Sequence, residues 1–235
     1  MAPAIRNLKA GRAEEFCELL ETFFSSRAVR SLHTENEDVL QGIVELLLDE
    51  PSNHIPELRL VVDGSKEPGD GRYEFVDIFI PAQTTAVGSD QMCVVMELKN
   101  ATLEGLWKGA DNRKPGYKDL ESLREALCGE NESTLLSRKY TPWSQGDIGW
   151  KRTTMTLKSI MEAGVEQLKR HMQTIALGKV RSYSAPGVLD DRVNIDLGLD
   201  DLQGYVFMAI GGVRVLVRPL EPVQSECRYV RALQL

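Results

Sequence analysis

The sequence predicts one α/β domain of the α+β kind, in which a mixed sheet is covered by helices. Three observations lead to this prediction. Short apolar segments at 57–63, 72–81 and 91–100 are bounded by Pro or Gly and have the length of buried strands. Apolar residues recur at helical spacing through 153–176. The segment 204–218 turns at two adjacent glycines, which is typical of a β-hairpin.

Composition limits both the size of the fold and its cellular setting. A chain of 235 residues with 42% hydrophobic content suits one domain, residues 1–235. No apolar run has the length of a transmembrane helix, and the first residues lack the apolar core of a signal peptide. The four cysteines are scattered, without the spacing of a zinc site. We therefore expect an intracellular protein, in the nucleus or the cytoplasm.

Two helices are predicted before the first strand. The segment 8–25 is amphipathic, and we expect it to pack across the core without a role in chemistry. The segment 34–49 begins with Thr34 and Glu37 at the spacing of a capping box. Its buried stripe has helical spacing and consists of Leu40, Ile43, Val44, Leu47 and Leu48.

The remaining elements predict a sheet with one crossover. The strand at 57–63, the strand that contains Asp77 and the strand that contains Glu97 follow one another, which favours an antiparallel hairpin or meander. The helix at 153–176 then returns the chain, so that a strand at 205–210 is added beside the Glu97 strand. The predicted order is αβββαβ.

This order divides the chain into a core and an insertion. Residues 34–100 and 153–218 form the core, and 101–152 form a helical and loop insertion. The polar segment 182–201 is predicted to be a surface excursion with solvated aspartates, and 227–235 a last edge strand.

Charged residues stand where buried strands should be apolar. Asp77 lies among Phe, Val and Ile residues. Glu97 directly follows a run of five apolar residues, and Lys99 comes two positions later. Because strand side chains alternate, Glu97 and Lys99 share one face. A buried charge is costly unless it is paired or bound to a metal. Two carboxylates and a lysine at neighbouring strand ends suit a divalent cation and an activated water.

Asp77, Glu97 and Lys99, with one residue between the last two, resemble the motif of the PD-(D/E)XK nuclease superfamily. The sequence around these residues is similar to the nuclease-like domain of fungal proteins, some of which also carry an AAA-ATPase-like region. This similarity covers residues 32–218 and is weaker over 101–153. It implies a restriction-endonuclease-like αβββαβ core. It also implies a hydrolase that uses Mg²⁺ or Mn²⁺ to cleave phosphodiester bonds in nucleic acid.

The resemblance implies a role for each site residue. Asp77 and Glu97 hold the metal ion, together with the backbone carbonyl of Leu98 and with Glu37 from the first core helix. Lys99 orients the attacking water or contacts the scissile phosphate. Two nearby carboxylates keep this lysine cationic, so it is not expected to act as a free-amine base.

Two of these assignments have a second interpretation. Gln167 matches a polar residue that points at the site in the family, but a solvated helix face is the alternative. Glu37 is also explained by helix capping alone. His33, His54 and His171 have no partner at metal spacing, and we expect His171 to be structural or exposed.

The distribution of charge along the chain bears on which kind of partner the protein binds. The net charge of −7 disfavours nucleic acid, yet residues 101–181 hold 14 basic and 10 acidic residues, net +4. Aromatic residues lie among these basic ones and suit either base stacking or the core of the insertion. We expect nucleic acid as the partner, DNA rather than RNA, with a homodimer as a second expectation and no membrane. Two alternatives stay open: an inactive module that binds nucleic acid or protein, and a buried ion-pair network without a ligand.

Overall fold

A mixed β-sheet lies at the centre of the protein in a computed structural model. The structure describes residues 3–25, 37–48, 54–82, 84–85, 88–89, 92–110, 115–142, 154–180 and 185–232. The helices are α1 (Pro3–Lys9), α2 (Ala13–Ser25), α3 (Glu37–Leu47), α4 (Leu103–Ala110), α5 (Tyr117–Gly129), α6 (Glu132–Ser137) and α7 (Leu157–Ala176). The strands before α7 are β1 (Ile55–Val61), β2 (Tyr73–Ile80), β3 (Thr84–Thr85), β4 (Gly88–Ser89), β5 (Met92–Ala101), β6 (Lys139–Tyr140) and β7 (Met155–Thr156). The strands after it are β8 (Gly187–Val188), β9 (Val193–Ile210), β10 (Arg214–Pro219) and β11 (Val223–Arg231).

Within the described residues, seven strands form the central sheet. Their order is β10-β9-β5-β2-β1-β8, and β11 pairs with the first part of β9. Strands β1, β2 and β5 form an antiparallel meander, whereas β9 runs parallel to β5 after the crossover through α7. A mostly antiparallel mixed sheet with helices confirms the predicted α+β class.

Helices cover both faces of this sheet. On one face, α1, α2 and α3 bury residues such as Phe16, Leu20 and Val44 against Met96 and Phe207. On the other face, α7 packs together with the helices that follow β5. The insertion contributes to this second core through Leu106, Leu127, Leu135 and Tyr140. Burial of these apolar side chains is the main stabilising contribution to the fold.

The prediction of one N-terminal helix over 8–25 is wrong. The chain forms two helices, α1 and α2, separated by Ala10, Gly11 and Arg12. Gly11 has φ of +78°, the left-handed conformation that ends a helix and that glycine adopts without a steric cost. The amide of Arg12 donates to the carbonyl of Asn7 at 2.9 Å, which closes the turn. Apolar residues continue at helical spacing across this break, so the sequence pattern did not indicate it.

The prediction of a surface excursion over 182–201 is also wrong in its second half. Strand β9 begins at Val193, because β11 pairs with its first residues from Val193 to Leu202. Asp200 is buried, and its Oδ2 accepts a hydrogen bond from the Tyr229 amide at 2.8 Å. Burial raises the pKa of the Asp200 carboxyl. Solvated aspartates were therefore the wrong interpretation at this position.

Several other predictions agree with the structure. The hairpin turns at Gly211 and Gly212, whose φ angles of 60° and 62° are those that a tight β-hairpin turn requires. Strand β9 pairs beside β5 as expected. Helix α7 begins four residues later than predicted because Thr156 caps it, accepting from the Ser159 amide at 3.2 Å. The last strand, β11, lies at the edge but starts at Val223.

Some predictions fall on residues that the structure does not describe. The capping residue Thr34 and the histidine His33 lie there. So do several of the aromatic and basic residues proposed for base stacking and phosphate contact: Arg113, Lys114, Trp143, Trp150, Lys151 and Arg152. Of the aromatics that are described, Tyr140 is buried in the core on the α7 side, which makes it a core anchor of the insertion.

A reversal of the sheet faces occurs where β1 and β2 pair between Glu57 and Asp77. The register is the same on both sides of this point, with Pro56 opposite Ile78 and Leu58 opposite Val76. Ile78 belongs to the core beneath α1–α3, yet Val76, two residues away, belongs to the core beneath α7. Glu57 has φ of +49°, which supplies the local change of direction. The reversal therefore lies at Asp77.

Candidate functional site

The candidate site lies where β2 and β5 separate. Their ladder pairs Phe79 with Val95 and Ile78 with Met96, and it ends there. Continued by one residue, the same register would set Asp77 opposite Glu97. In place of a main-chain pair, Oδ2 of Asp77 accepts a hydrogen bond from the amide of Leu98 at 2.6 Å. The carboxylate of Asp77 thus lies between the two strand ends, beside Glu97.

Lys99 connects the carboxylates of this site. Its Nζ lies 2.6 Å from Oε1 of Glu97 and 3.5 Å from Oε1 of Glu37. The Glu97 side chain is fully buried, that of Lys99 is 20% exposed, and that of Glu37 is 49% exposed. The three side chains therefore lead from the buried sheet to the surface.

Glu37 is the first residue of α3. This position directs its side chain across the end of the sheet towards Lys99, although α3 packs on the opposite face. The alternative of capping alone does not account for this approach to Lys99.

Helix α7 covers the site closely at Gly164. A β-carbon placed there would lie 3.0 Å from Val206 Cγ1 and 3.4 Å from Lys99 Cγ. The absence of a side chain therefore lets α7 approach β5 and β9, and it leaves room for the stem of Lys99. Gln167 is half-buried and lies one turn further along the same face. It lies between Gly164 and His171 in helical spacing, and the choice between a residue that points at the site and a solvated helix face stays a prediction.

His171 agrees with the structural alternative and not with the exposed one, and it has partners that its sequence spacing did not indicate. Its side chain is fully buried between two carboxylates. Nε2 lies 2.8 Å from Oε2 of Glu74, and Nδ1 lies 3.5 Å from Oε2 of Glu97. Glu74 lies an odd number of residues before Asp77, so strand alternation predicts that it faces away from the site. The face reversal at Asp77 brings it to the α7 side.

A sequence signal for His171 existed. It lies four residues after Gln167 and seven after Gly164, on the helix face that covers the strand ends. No comparable signal marked Glu74, because its place depends on the reversal. The third histidine, His54, lies apart from the site, with its Nε2 3.7 Å from Oε2 of Glu45.

Burial and neighbouring charges shift the pKa values of Asp77 and Lys99. Burial and, after it, the neighbouring Glu97 carboxylate raise the pKa of Asp77 to about 7, against the hydrogen bond from Leu98 and the charge of Lys99. For Lys99, burial by itself would lower the pKa, but Glu97, Glu37 and Asp77 together raise it. The cluster thus has more negative charge than its lysine compensates.

The donor set suits a divalent cation that keeps part of its water shell. Asp77, Glu97 and Glu37 present carboxylate oxygens around a single lysine. Oε2 of Glu97 is buried and accepts no hydrogen bond from the described residues. In the same part of the chain, no group of three or more His, Cys, Asp or Glu side chains has the arrangement of a metal site. Mg²⁺ needs only one or two carboxylates and retains several waters, so this absence counts against zinc more than against Mg²⁺.

Comparisons with protein-family models, with curated proteins and with solved structures found no match to this chain. Among the described residues, no helix combines the length and the apolar character that a membrane span requires.

Proposed function

We propose that the protein is a metal-dependent nuclease of the PD-(D/E)XK type, which hydrolyses phosphodiester bonds of nucleic acid. The observation that carries the proposal is the meeting of Asp77, Glu97 and Lys99 at two separating strand ends, with Glu37 beside the same lysine. A helix, three antiparallel strands, a helix and a parallel strand surround this site in that order. This order supports a restriction-endonuclease-like core.

Four residues would hold Mg²⁺ or Mn²⁺. These are Asp77, Glu97, the carbonyl of Leu98 and Glu37. When bound, the ion makes a water ligand more acidic and stabilises the negative charge that develops on the phosphate. Asp77 is aligned for this role by the Leu98 amide, which fixes one of its oxygens.

Lys99 acts as a cationic hydrogen-bond donor. Its pKa is raised, so it does not serve as a free-amine base. The ammonium group donates to the attacking water or to a phosphate oxygen. Because Gly164 has no side chain above its stem, Lys99 has room to turn from Glu97 towards such a ligand. Gln167 adds an amide to the same face.

Nucleic acid is the partner that this chemistry requires, and DNA is favoured over RNA. The surplus of basic residues lies in 101–181, the part of the chain that leads from β5 through α7. This part begins directly after β5 and includes α7, which covers the site at Gly164, so phosphate contacts there would guide the strand towards it. A homodimer is a further part of the proposal.

A second candidate is an inactive module that binds nucleic acid or protein. The observation in its favour is that Lys99 already pairs with Oε1 of Glu97 at 2.6 Å. In such a module this ion pair substitutes for a metal, and catalysis is absent. The same observation suits a structural network without a ligand.

Thermal unfolding with and without Mn²⁺ tests the proposal. A divalent ion that binds the folded site raises stability by about 2.7 kcal/mol at a hundredfold excess over its dissociation constant. We expect this gain in wild type and its loss in Asp77→Asn. The matched control is Asp191→Asn, an exposed aspartate on the turn before β9, which should keep the full gain.

Cleavage of DNA separates the two candidates. Lys99→Ala should retain the Mn²⁺ response, because the ammonium group is not a ligand, and it should lose cleavage. If Mn²⁺ leaves the melting temperature of wild type unchanged and Asp77→Asn is strongly destabilised, the nuclease proposal is wrong and the site is a structural ion-pair network. A wild-type protein that responds to Mn²⁺ without cutting any DNA or RNA would support the inactive module.

A further inference from the structure

His171 and Glu74 form a buried connection that the proposed chemistry does not use. The imidazole of His171, a residue of α7, is fully buried, with a carboxylate on each side. Its Nε2 lies 2.8 Å from Oε2 of Glu74, and its Nδ1 lies 3.5 Å from Oε2 of Glu97. A line of polar groups therefore runs from Lys99 through Glu97 and His171 to Glu74.

The contacts determine which way the ring faces. The oxygen of Glu74 holds Nε2 at hydrogen-bond distance, and this contact directs Nδ1 at Glu97. Among the described residues, neither Nδ1 of His171 nor Oε2 of Glu97 has a hydrogen-bond partner. In the tautomer that carries its hydrogen on Nδ1, the imidazole is the group that can donate to this oxygen. The unsatisfied atoms thus face each other.

Glu97 consequently has a nitrogen beside each of its two oxygens. Lys99 lies against Oε1 at 2.6 Å, and His171 lies 3.5 Å from Oε2. A donor at the second oxygen would set the plane of the carboxylate, which the contact with Lys99 alone leaves free to rotate. Side chains that orient a metal-binding group in this manner change metal affinity by about 10- to 100-fold.

We propose that His171 is a positioning residue, which orients the Glu97 carboxylate for a divalent cation and is itself oriented by Glu74. The inference rests on the proposed metal-dependent function, because Glu97 is the residue through which His171 acts. Glu74 is not a ligand in this arrangement. It acts only through the ring of His171: Glu74 orients His171, and His171 orients Glu97. This order makes the proposal testable.

Calorimetric titration with Mn²⁺ measures the effect on the site directly. His171→Phe keeps a planar ring but has no donor, and it should weaken Mn²⁺ affinity about 10- to 100-fold. His171→Gln, which retains one amide donor, should recover part of this loss. Met172→Ala removes the neighbouring buried side chain of α7, which packs against Gly204 of β9, so it should lower the melting temperature and leave the Mn²⁺ affinity unchanged.

Glu74→Gln supplies a conservative variant at a partly exposed position. We expect it to weaken Mn²⁺ affinity by up to about tenfold. Glu166→Gln removes a carboxylate from the exposed face of α7 and should have no effect. In the His171→Phe background, Glu74→Gln should cause no additional loss, since Glu74 acts through the ring. An added loss there would indicate a long-range charge effect and would overturn the proposed order.

The outcomes distinguish this inference from the proposed function. If wild type binds neither Mn²⁺ nor Mg²⁺, the metal-dependent function is wrong, and the inference is wrong with it. If wild type binds Mn²⁺ and both His171→Phe and Glu74→Gln bind it equally well, only the positioning role is overturned.

Discussion

At the residue scale, burial and charge act together on Asp77. Its carboxylate lies beside that of Glu97, and one of its oxygens accepts from the Leu98 amide. Burial first, and then the Glu97 charge, raise its pKa to about 7. A carboxylate in an ordinary ion pair would have a lowered pKa instead. The raised value therefore follows from burial next to a second carboxylate, an effect that Lys99 and the Leu98 amide only partly offset.

The pH dependence of stability follows from this pKa. The folded protein holds the Asp77 proton up to about pH 7, whereas the unfolded chain releases it near pH 3.8. This contribution to stability is therefore present below pH 3.8 and is lost as pH rises through 7. In metal-free buffer, Asp77→Asn should gain stability relative to wild type between pH 5 and 8. Chemical denaturation at several pH values measures this difference, and a gain that is the same at every pH would contradict the assignment.

At the element scale, the reversal of faces between β1 and β2 builds the site. Glu57, with φ of +49°, and Asp77 mark the position at which both strands turn over. Without this reversal, Glu74 would face away from α7 and from His171. The same irregularity interrupts the ladder between β2 and β5, which leaves the Leu98 amide free to bind the Asp77 carboxylate.

Substitutions at Glu57 test the importance of its left-handed conformation. An L-residue with positive φ is strained by about 1–2 kcal/mol, and the strain is greatest for β-branched side chains. Glu57→Gly should therefore leave the free energy of unfolding within about 1 kcal/mol of wild type, because relief of strain offsets the entropy of glycine. Glu57→Ile should be destabilising. Equal stability of the two variants in urea would show that the reversal does not depend on this angle.

At the scale of the whole molecule, the sheet separates two hydrophobic cores. One lies on the same side of the sheet as the candidate site, and the other lies on the opposite side. Glu97, Lys99 and His171 belong to the face beneath α7, whereas α1 and α2 cover the opposite face. There, the ring of Phe16 meets that of Phe207 edge-on at a centroid distance of 5.3 Å. Stability on that face should therefore be separable from metal binding at the site.

Phe16→Ala tests this separation. Removal of a buried phenylalanine destabilises a protein by about 3–5 kcal/mol. We expect a loss of this size for Phe16, whose side chain is 1% exposed, and an unchanged Mn²⁺ affinity at temperatures where the variant is folded. Leu19→Ala on the exposed side of α2 is the control and should change stability by about 0.5 kcal/mol or less. A matched loss of Mn²⁺ affinity in Phe16→Ala would contradict the separation.

The sequence alone determined most of the core elements and indicated three charged residues of the candidate site. Apolar periodicity and turn residues are local signals, so they predicted α7, the β9–β10 hairpin and the three core strands. Charges within apolar strands are also local, and they indicated Asp77, Glu97 and Lys99. Strand alternation then placed the last two on one face, which the 2.6 Å contact between them confirms.

Only the tertiary structure decided the features that depend on contacts distant in sequence. Pairing with β11 turned the aspartate-rich segment before Leu202 into a strand, because Tyr229 and its neighbours supply partners that the local sequence does not contain. The reversal at Glu57 brought Glu74 to the side of the sheet that alternation excludes. Helix α7 then placed His171 between Glu74 and Glu97, 74 residues beyond the latter in the chain. Local patterns specify which face a side chain takes within its own element, and the packing of elements specifies which charges meet.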